Sequence, residues 1–323
     1  MDYDLDFEQE LAAEAHALRA LLENSDDQKA PMQVQKALHR LQARTKEVYA
    51  GLTSWQTVQV ARHKDRPYAA DYLRLMCDDF MELHGDRAYR DDHAIMAGLG
   101  SLAGATVMFI CQQKGRVTKE KQYHNFGMPH PEGYRKSYRL MNHAEKFHIP
   151  IVCLIDTPGA FPGLEDEEHG QSGAIAANLY LMSHLRVPIV AVIIGEGGSG
   201  GALAISVADR LLMLEHSVYT VAAPEAAASI LWRDKSFAAE AAEAMQISAR
   251  ELLETQIIDE LVPEPIGGAH RDHNLAARYL KEALLTHLAE LRRYSLHDLL
   301  QRRYQKYRSI GPFSQVEVAD IAS

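Results

Sequence analysis

The sequence is short of the features that mark secreted, membrane and nucleic-acid-binding proteins. Only three cysteines occur in 323 residues and none forms a CxxC pair, which excludes a disulfide framework and a metal-binding cysteine pattern. No apolar run approaches the ~20 residues that a membrane-spanning helix needs, and the acidic N-terminus lacks the apolar segment of a secretory signal. The formal net charge is −10, so the basic surplus of a nucleic-acid binder is missing. These absences predict a cytoplasmic protein without a bound metal, a membrane contact or a nucleic-acid partner.

Apolar residues make up 47% of the chain, which is enough for a sizeable core. In the first part, apolar residues share one helical face from Leu11 to Leu22, and polar residues 24–27 interrupt the pattern. From Val34 to Leu52 apolar residues return at alternating steps of four and three. This pattern predicts a helical hairpin, packed within the chain or offering a coiled-coil contact to a partner.

The pattern changes to strands at Ala94. Two strands are predicted over 95–100 and 105–110, joined by a turn at Ala103-Gly104. Farther along, Pro150 and Pro188 each lead into an apolar run, a glycine-containing loop and a helix. Continuous apolar strands are buried on both faces, so these repeated units predict an α/β fold with parallel strands and helical crossovers.

Three parts are expected from this pass along the chain. The first is a helical region over residues 1–90, the second an α/β core over 91–265, and the third a set of amphipathic helices over 266–323. We expect the last part to make oligomer contacts.

The segment Gly195–Gly201 fits several motifs, so the pattern alone does not decide its role. Gly195, Gly197 and Gly200 form the GxGxxG of a dinucleotide-binding turn, with an acid, Glu215, at a suitable distance. Against that interpretation, the turn comes second in the series of units, and no dehydrogenase-like catalytic set follows it.

The same segment also contains GxSxG, the pattern of a serine nucleophile on a strand-to-helix turn. Ser199 would be the nucleophile, and Asp259 and His270 follow in a suitable chain order. However, the flanking residues are almost all glycine, and no HGGG-type motif precedes them.

A third interpretation needs no side chain at all. Consecutive glycines leave backbone N–H groups uncovered, and a pair of such donors can stabilise an oxyanion. A tight packing turn without chemistry also stays open. The companion loop Asp156–Gly159 has the DxxG of a GTPase, but the sequence has no GxxxxGK[ST] loop to accompany it.

Longer runs of sequence are similar to one family. They cover roughly residues 50–310 in family order and resemble the carboxyltransferase α subunits of bacterial acetyl-CoA carboxylase. The resembling runs are 113–116, 119–121, 125–129, 131–136, 155–163, 167–172, 194–205, 224–225, 229–232 and 264–271. Two positions depart from the family pattern, since His169 stands where arginine is usual and Gly173 where glutamate is usual. Losing a cation and an anion together suggests that an ion pair has been removed.

The resemblance implies a crotonase-like fold, a β-spiral of βαβ units. It also implies transfer of CO₂ from carboxybiotin on a carrier protein to acetyl-CoA, which gives malonyl-CoA for fatty acid biosynthesis. The backbone N–H groups of Gly200 and Gly201 would form the oxyanion hole near biotin. The supporting loop residues implied by the resemblance are Gly195, Gly197, Gly198, Asp156, Gly159 and Gly163.

A basic set stands out in this acidic chain. Lys114, Arg116, Lys119 and Arg135 are candidates for contact with carboxybiotin or CoA, and the alternative is a solvated helix face.

The resemblance also implies partners. These are a zinc-ribbon β subunit that supplies the donors for the acetyl-CoA enolate, the biotin carboxyl carrier protein, and biotin carboxylase in the wider complex. The expected assembly is an α2β2 heterotetramer, and this chain would bind no cofactor covalently. Two alternatives stay open: a catalytically silent scaffold or filament subunit of the same fold, and a serine hydrolase that uses Ser199.

Overall fold

The computed structural model describes residues 3–23 and 30–311, so the polar break predicted at 24–27 lies outside the described residues. The strands are β1 (Phe80–Glu82), β2 (Ile95–Leu102), β3 (Ala105–Gln112), β4 (Ile151–Thr157), β5 (Ile189–Gly198), β6 (Arg210–Leu214), β7 (Val218–Thr220) and β8 (Glu260–Val262). The α-helices are α1 (Gln9–Glu23), α2 (Ala30–Ala50), α3 (Ser54–Ala61), α4 (Ala69–Met76), α5 (Thr118–Tyr123), α6 (Pro131–Lys146), α7 (Leu164–Glu168), α8 (Gln171–His184), α9 (Ser199–Leu203), α10 (Pro224–Trp232), α11 (Ala238–Met245), α12 (Ala249–Glu254), α13 (His273–Leu291) and α14 (Leu296–Arg308).

The strands form one mixed sheet in the order β1-β2-β3-β4-β5-β6-β8, with β7 beside the carboxyl end of β5. The predicted hairpin is confirmed, because β2 and β3 pair antiparallel around a two-residue turn. Ala103 and Gly104 have φ of 50° and 78°, the left-handed conformation that matches the twist of the flanking strands. The predicted parallel units are also confirmed, since β4 pairs parallel with β5 and Ile151 lies opposite Ile189.

Both faces of the sheet are covered by helices, as the apolar strands predicted. Along β4, Val152 and Leu154 pack in a core with α4 and α13, whereas Cys153 and Ile155 pack in a second core with α6 and α8. The first core combines side chains from all three of the parts expected over 1–90, 91–265 and 266–323. That these three parts are separate domains with these bounds stays a prediction.

The helical hairpin packs against the rest of the chain. Leu11 on α1, Leu41 and Tyr49 on α2 and Val60 on α3 share a small apolar cluster. Residues of the heptad pattern therefore contact their own chain in the described hairpin. No helix of the described ranges is both long enough and apolar enough to cross a membrane.

The last helix is attached by one buried arginine. Arg303 on α14 has a side chain only 1% exposed, and its guanidinium contacts both carboxylate oxygens of Asp209 at 2.8 Å. It also donates to the carbonyl oxygens of Met182, Leu185 and Val187, which connect α8 to β5.

Candidate active site

The two glycine-containing segments meet at the carboxyl ends of neighbouring strands. Thr157 at the end of β4 lies opposite Gly197 near the end of β5. A Cβ on Gly198 would lie 2.1 Å from the Pro158 carbonyl oxygen, and one on Gly201 would lie 2.4 Å from the Ala160 nitrogen. The segments therefore pack backbone against backbone, and a side chain at either glycine would collide with the other loop.

The segment Gly195–Gly201 is expected to be a loop, but the structure divides it between the end of β5 and the start of α9. β5 continues to Gly198 and α9 begins at Ser199, so the strand is longer and the helix starts earlier than predicted. Ser199 takes the sharp bend between them, with φ of 53°. The correction has a physical reason: the parallel pairing of β5 with β7 extends the strand past Gly195, and that pairing joins distant residues.

Two backbone donors stand at the start of α9. Gly200 is partly exposed and Gly201 is buried. Within the described ranges, neither the Gly200 N–H nor the Gly201 N–H donates to a protein acceptor. First-turn N–H groups of a helix have no intrahelical partner, so they are available to an oxyanion.

A cavity of about 480 Å³ opens beside these donors. Its wall is mostly apolar and is formed by α9, β7, the end of α11 and the region around α12. The lining residues are Ser199, Gly200, Leu203, Tyr219, Thr220, Val221, Met245, Ile247, Leu252 and Ile257.

A buried network of charged groups lies under the glycine segments. The Asp156 carboxylate accepts from the Glu196 N–H at 2.9 Å and pairs with Lys114 Nζ at 2.6 Å. Lys114 Nζ also lies 3.6 Å from the Glu196 carboxylate, whose other oxygen pairs with Arg62 at 2.6 Å. Arg62 continues to Glu225 at 2.6 Å. The network thus connects α3, the ends of β4 and β5, and the start of α10.

The network also sets the protonation of its members. Burial opposes the charged form of Lys114, but the nearby carboxylates of Asp156 and Glu196 outweigh it and raise the pKa. For Glu196, burial is again the largest single effect, and Lys114 and Arg62 together overcome it and lower the pKa. Both groups are therefore charged at neutral pH. A Cβ on Gly195 would lie 2.6 Å from the Asp156 carboxylate, so glycine leaves the space that this carboxylate occupies.

Local geometry explains why glycine occurs at 159 and at 163, in the loop between β4 and α7. Gly159 has φ of 154°, and its N–H donates to the Thr157 hydroxyl at 3.1 Å. A Cβ on Gly163 would lie 2.3 Å from the Asp166 carboxylate. Gln171 Nε2 donates to the Phe161 carbonyl at 3.0 Å, which fixes the loop against the start of α8.

The four basic candidates have different surroundings. Lys114 is 16% exposed and belongs to the buried network. Arg116 pairs with Asp71 at 2.7 Å and stacks over an aromatic ring, and Lys119 is exposed on α5. Arg135 donates to the His169 carbonyl oxygen. Among the described residues the four share no hydrogen-bond or ion-pair partner, and their contact with substrate stays a prediction.

The two departures from the family pattern are now located. His169 still has an acidic partner, because its Nδ1 lies 3.0 Å from the buried Glu132 carboxylate. Glu132 also contacts Arg90 at 3.3 Å. Gly173 lies on α8 with nothing within 4 Å of the position of a Cβ. In the described part of the chain, neither His169 nor Gly173 forms a hydrogen bond or ion pair with the Gly195–Gly201 segment.

The residues of the serine-hydrolase interpretation are not brought together. Ser199 is exposed, but Asp259 accepts from the Leu211 N–H at 2.6 Å and pairs with Lys306. His270 stacks on His63 at 3.9 Å between ring centroids. In the described part of the chain neither group contacts Ser199, so the bend carries no Ser-His-Asp arrangement.

Sequence reasoning missed several residues around the site. Arg62 sits in no motif, and the run 224–225 gives no sign that Glu225 pairs with it; only folding brings Arg62 to Glu196 and Glu225. Tyr219 packs on Gly197, where a Cβ would lie 2.9 Å from its ring, and it lines the cavity. No short-range pattern in the sequence could have found these contacts. Among the described residues, no group of three or more His, Cys, Asp or Glu could hold a metal ion.

The fold is shared with carboxyltransferases, as solved structures show. A transcarboxylase 12S structure superposes with a TM-score of 0.55 at 19% identity, covering 70% of this chain and 42% of that one. The β subunit of geranyl-CoA carboxylase from P. aeruginosa superposes with a TM-score of 0.55 at 15% identity, covering 82% of this chain and 48% of that one. The predicted crotonase-like fold is therefore confirmed.

Sequence comparison narrows this class to one family. The profile of the family described as "Acetyl co-enzyme A carboxylase carboxyltransferase-like" matches residues 4–311. The acetyl-coenzyme A carboxylase carboxyl transferase subunit alpha of Geobacter metallireducens is 51% identical over 314 residues, covering 97% of this chain and 99% of the relative. The chain belongs to the family of acetyl-CoA carboxylase carboxyltransferase α subunits. It is thus a component of a biotin-dependent carboxyltransferase, with carboxybiotin and acetyl-CoA as the substrates of the reaction.

Proposed function

We propose that this chain supplies the biotin half of the carboxyltransferase site, with the N–H groups of Gly200 and Gly201 as the oxyanion hole. One observation carries the proposal: within the described ranges, the N–H groups of Gly200 and Gly201 donate to no protein acceptor, and Gly200 lines a mostly apolar cavity with Gly201 next to it in the chain. Such a cavity suits a bicyclic ring on an aliphatic chain, and the two donors suit its single polar oxygen.

The reaction places negative charge on that oxygen. When CO₂ leaves carboxybiotin, the C–N bond breaks and its electron pair passes into the ureido group. The resulting anion takes a proton from the methyl group of acetyl-CoA, and the enolate forms a C–C bond with CO₂. Preorganised N–H donors stabilise the ureido oxygen as it gains charge, and one lost donor of this kind costs on the order of 10²–10³ in rate. No separate side-chain base is required in these loops.

The other predicted loop residues hold the donors in place. Glycine at 198 and at 201 permits the close approach of the two loops, and glycine at 195 leaves space for Asp156. Asp156 in turn accepts from the Glu196 N–H, so the buried ion pairs tie the end of β5 to β4. We therefore assign Lys114 a supporting role. Arg116, Lys119 and Arg135 remain candidates for contact with carboxybiotin or CoA.

An exposed apolar strip supports the proposal of a protein partner. It lies along α10 and its flanks and consists of Val221, Ile230, Leu231, Trp232 and Phe237, which are 41% to 82% exposed. Val221 also lines the cavity, so the strip is continuous with the site. A large exposed apolar patch marks an interaction surface. We propose that a β subunit covers this strip and adds the donors for the acetyl-CoA enolate.

The wider assembly follows from the same proposal. The biotin carboxyl carrier protein would bring carboxybiotin to the cavity, biotin carboxylase would reload the carrier, and an α2β2 heterotetramer would hold two complete sites. A catalytically silent scaffold is the competing proposal, and the two differ in whether changes at the glycine donors alter turnover.

The half-site proposal is tested by reconstitution. The purified chain is assayed alone and with its β partner for malonyl-CoA-dependent carboxylation of biocytin. We expect turnover only in the mixture, because each subunit would supply one pair of donors. Robust turnover by the chain alone would contradict the proposal, and inactivity of the mixture, with both proteins folded and associated, would favour the silent scaffold.

A further inference from the structure

The carbonyl oxygen of Gly201 finds its hydrogen-bond partners outside its own helix. In a regular α-helix it would accept from the N–H of residue 205. The Ile205 N–H instead donates to the Ala202 carbonyl at 3.2 Å. The Gly201 carbonyl accepts from two side chains, Gln112 Nε2 at 2.8 Å and the Tyr134 hydroxyl at 3.3 Å.

These two side chains have no other polar contact in the described ranges. Gln112 ends β3 and Tyr134 lies in the first turns of α6, and both are fully buried. The remaining amide oxygen of Gln112 has no hydrogen-bond partner at all. Burying a polar group is unfavourable unless it is hydrogen-bonded. The Gly201 carbonyl is therefore the one polar feature that accounts for both residues.

The contacts hold the peptide groups on both sides of Gly201. The Gly200 carbonyl accepts from the Ala204 N–H at 3.0 Å, and because a peptide is planar, this fixes the plane that carries the Gly201 N–H. Gln112 and Tyr134 fix the following peptide through the Gly201 carbonyl. The Cα of Gly201 is pressed against the loop that precedes α7. The direction of the Gly201 N–H is set by all three constraints.

We propose that Gln112 and Tyr134 are positioning residues for carboxyl transfer, which aim the Gly201 N–H at the substrate oxygen. The inference rests on the proposed function. Both side chains are fully buried and spend their polar contacts on the Gly201 carbonyl, so they act through Gly201 and do not touch the substrate. Loss of either hydrogen bond should leave substrate binding intact and slow the chemical step. An N–H donor that points away from the substrate oxygen stabilises the transition state less.

The test uses the chain assembled with its β partner. Tyr134→Phe removes only the hydroxyl, and Gln112→Met replaces the amide by an apolar chain of similar length. We expect each variant to lower kcat by about tenfold and the double variant by about 10², with KM for malonyl-CoA unchanged. Thermal unfolding of each variant is measured as well, so that the assay is run well below the unfolding midpoint of every variant.

Matched controls remove a buried polar group that has no hydrogen-bond partner among the described residues. Tyr72 is fully buried with an unpartnered hydroxyl, and Asn178 is fully buried with both side-chain polar atoms unpartnered. Tyr72→Phe and Asn178→Leu should keep kcat within about twofold of the wild type. The inference is overturned if the double variant keeps the wild-type kcat, if its KM rises as much as its kcat falls, or if the controls lose kcat equally.

A further variant separates this inference from the proposed function. Gly200→Pro is assayed in the same complex, because proline has no N–H, is tolerated in the first turn of a helix, and meets no atom closer than 3.6 Å to the Cβ position at 200. If Gly200→Pro is folded and lowers kcat by about 10² or more while the Gln112→Met, Tyr134→Phe double variant keeps the wild-type kcat, only the positioning role fails. If Gly200→Pro is folded and keeps the wild-type kcat, the oxyanion hole itself is wrong.

Discussion

At the scale of single residues, the proposed site depends on backbone N–H groups. No catalytic side chain marks their position in the sequence. Gly198 and Gly201 are glycine because a Cβ would lie 2.1 Å and 2.4 Å from atoms of the facing loop. Gly200 differs, since the nearest atom to its Cβ position is on Ile175 at 3.6 Å. Packing therefore does not require glycine at 200, and its absent side chain keeps the N–H accessible, as the proposed oxyanion hole needs.

Ser199 provides the first prediction at this scale. Ser199→Ala should keep most of the turnover of the complex, because a backbone oxyanion hole does not use the hydroxyl. The measurement is kcat for malonyl-CoA-dependent carboxylation of biocytin. If Ser199 were a nucleophile, the variant would lose nearly all activity. A fall in kcat of about 10³ or more would therefore favour the hydrolase interpretation.

The second residue-scale prediction concerns a buried ion pair behind the site. Arg66 donates to both oxygens of Glu264, at 2.5 Å and 3.0 Å, and also to the Ile194 carbonyl at 2.8 Å. Burial alone would raise the pKa of Glu264, but the Arg66 charge and its hydrogen bonds lower it from 4.5 to about 2. The stability from this lowered pKa is fully present above about pH 4.5 and is lost as the pH falls toward about 2.

Glu264→Gln leaves Arg66 as an unpaired buried cation. We expect the free energy of unfolding at pH 7 to fall by about 3–5 kcal/mol. Chemical denaturation at several pH values checks this, and the difference between wild type and variant should shrink below pH 4.5. A difference that stays constant down to pH 2 would show that the Glu264 charge is not its source.

At the scale of elements, the sheet and its repeats bring two loops to one edge. β4 and β5 are adjacent and parallel, so their carboxyl ends lie side by side. The repeated apolar runs predicted these strands and a helix after each of them, because local patterns suffice for such elements. They did not predict that β5 reaches Gly198, since that extension depends on pairing with β7, which lies later in the chain.

The docking of α14 gives an element-scale prediction. Arg303→Met would leave the Asp209 carboxylate without its cation and three buried carbonyls without a donor. We expect a loss of about 3–5 kcal/mol in the free energy of unfolding, measured by chemical denaturation. Arg302→Met is the matched control, because Arg302 is exposed on the same helix. An equal, small effect of both changes would show that the buried contacts do not hold α14.

At the scale of the whole molecule, the exposed apolar surface of the chain is typical of a subunit that binds another protein. It carries 23 exposed large apolar side chains in the described ranges, and several of them form the apolar strip beside the cavity. Apolar side chains that are exposed singly need no explanation, whereas several close together along α10 and its flanks support the proposal of a partner.

Ile230, 76% exposed on α10, tests this at the same scale. Ile230→Asp should leave the chain folded and weaken its association with the β subunit by about tenfold or more, because a charge would be buried in an apolar interface. Isothermal titration or co-purification measures the change. Phe147→Asp, at a residue 63% exposed just after α6, is the control and should associate normally. Unaltered association of the Ile230→Asp variant would remove α10 from the proposed interface.

The sequence by itself determined the elements and the family. Apolar periodicity fixed the parallel strands and their covering helices, and runs of short motifs in order carried the resemblance that relatives of about 50% identity confirm. The tertiary structure decided how the site is supported. Arg62 reaches Glu196, and Gln112 and Tyr134 reach the Gly201 carbonyl, across 134, 89 and 67 positions of the chain. Such contacts leave no local trace in a sequence, because they depend on where the sheet register and helix packing bring each side chain.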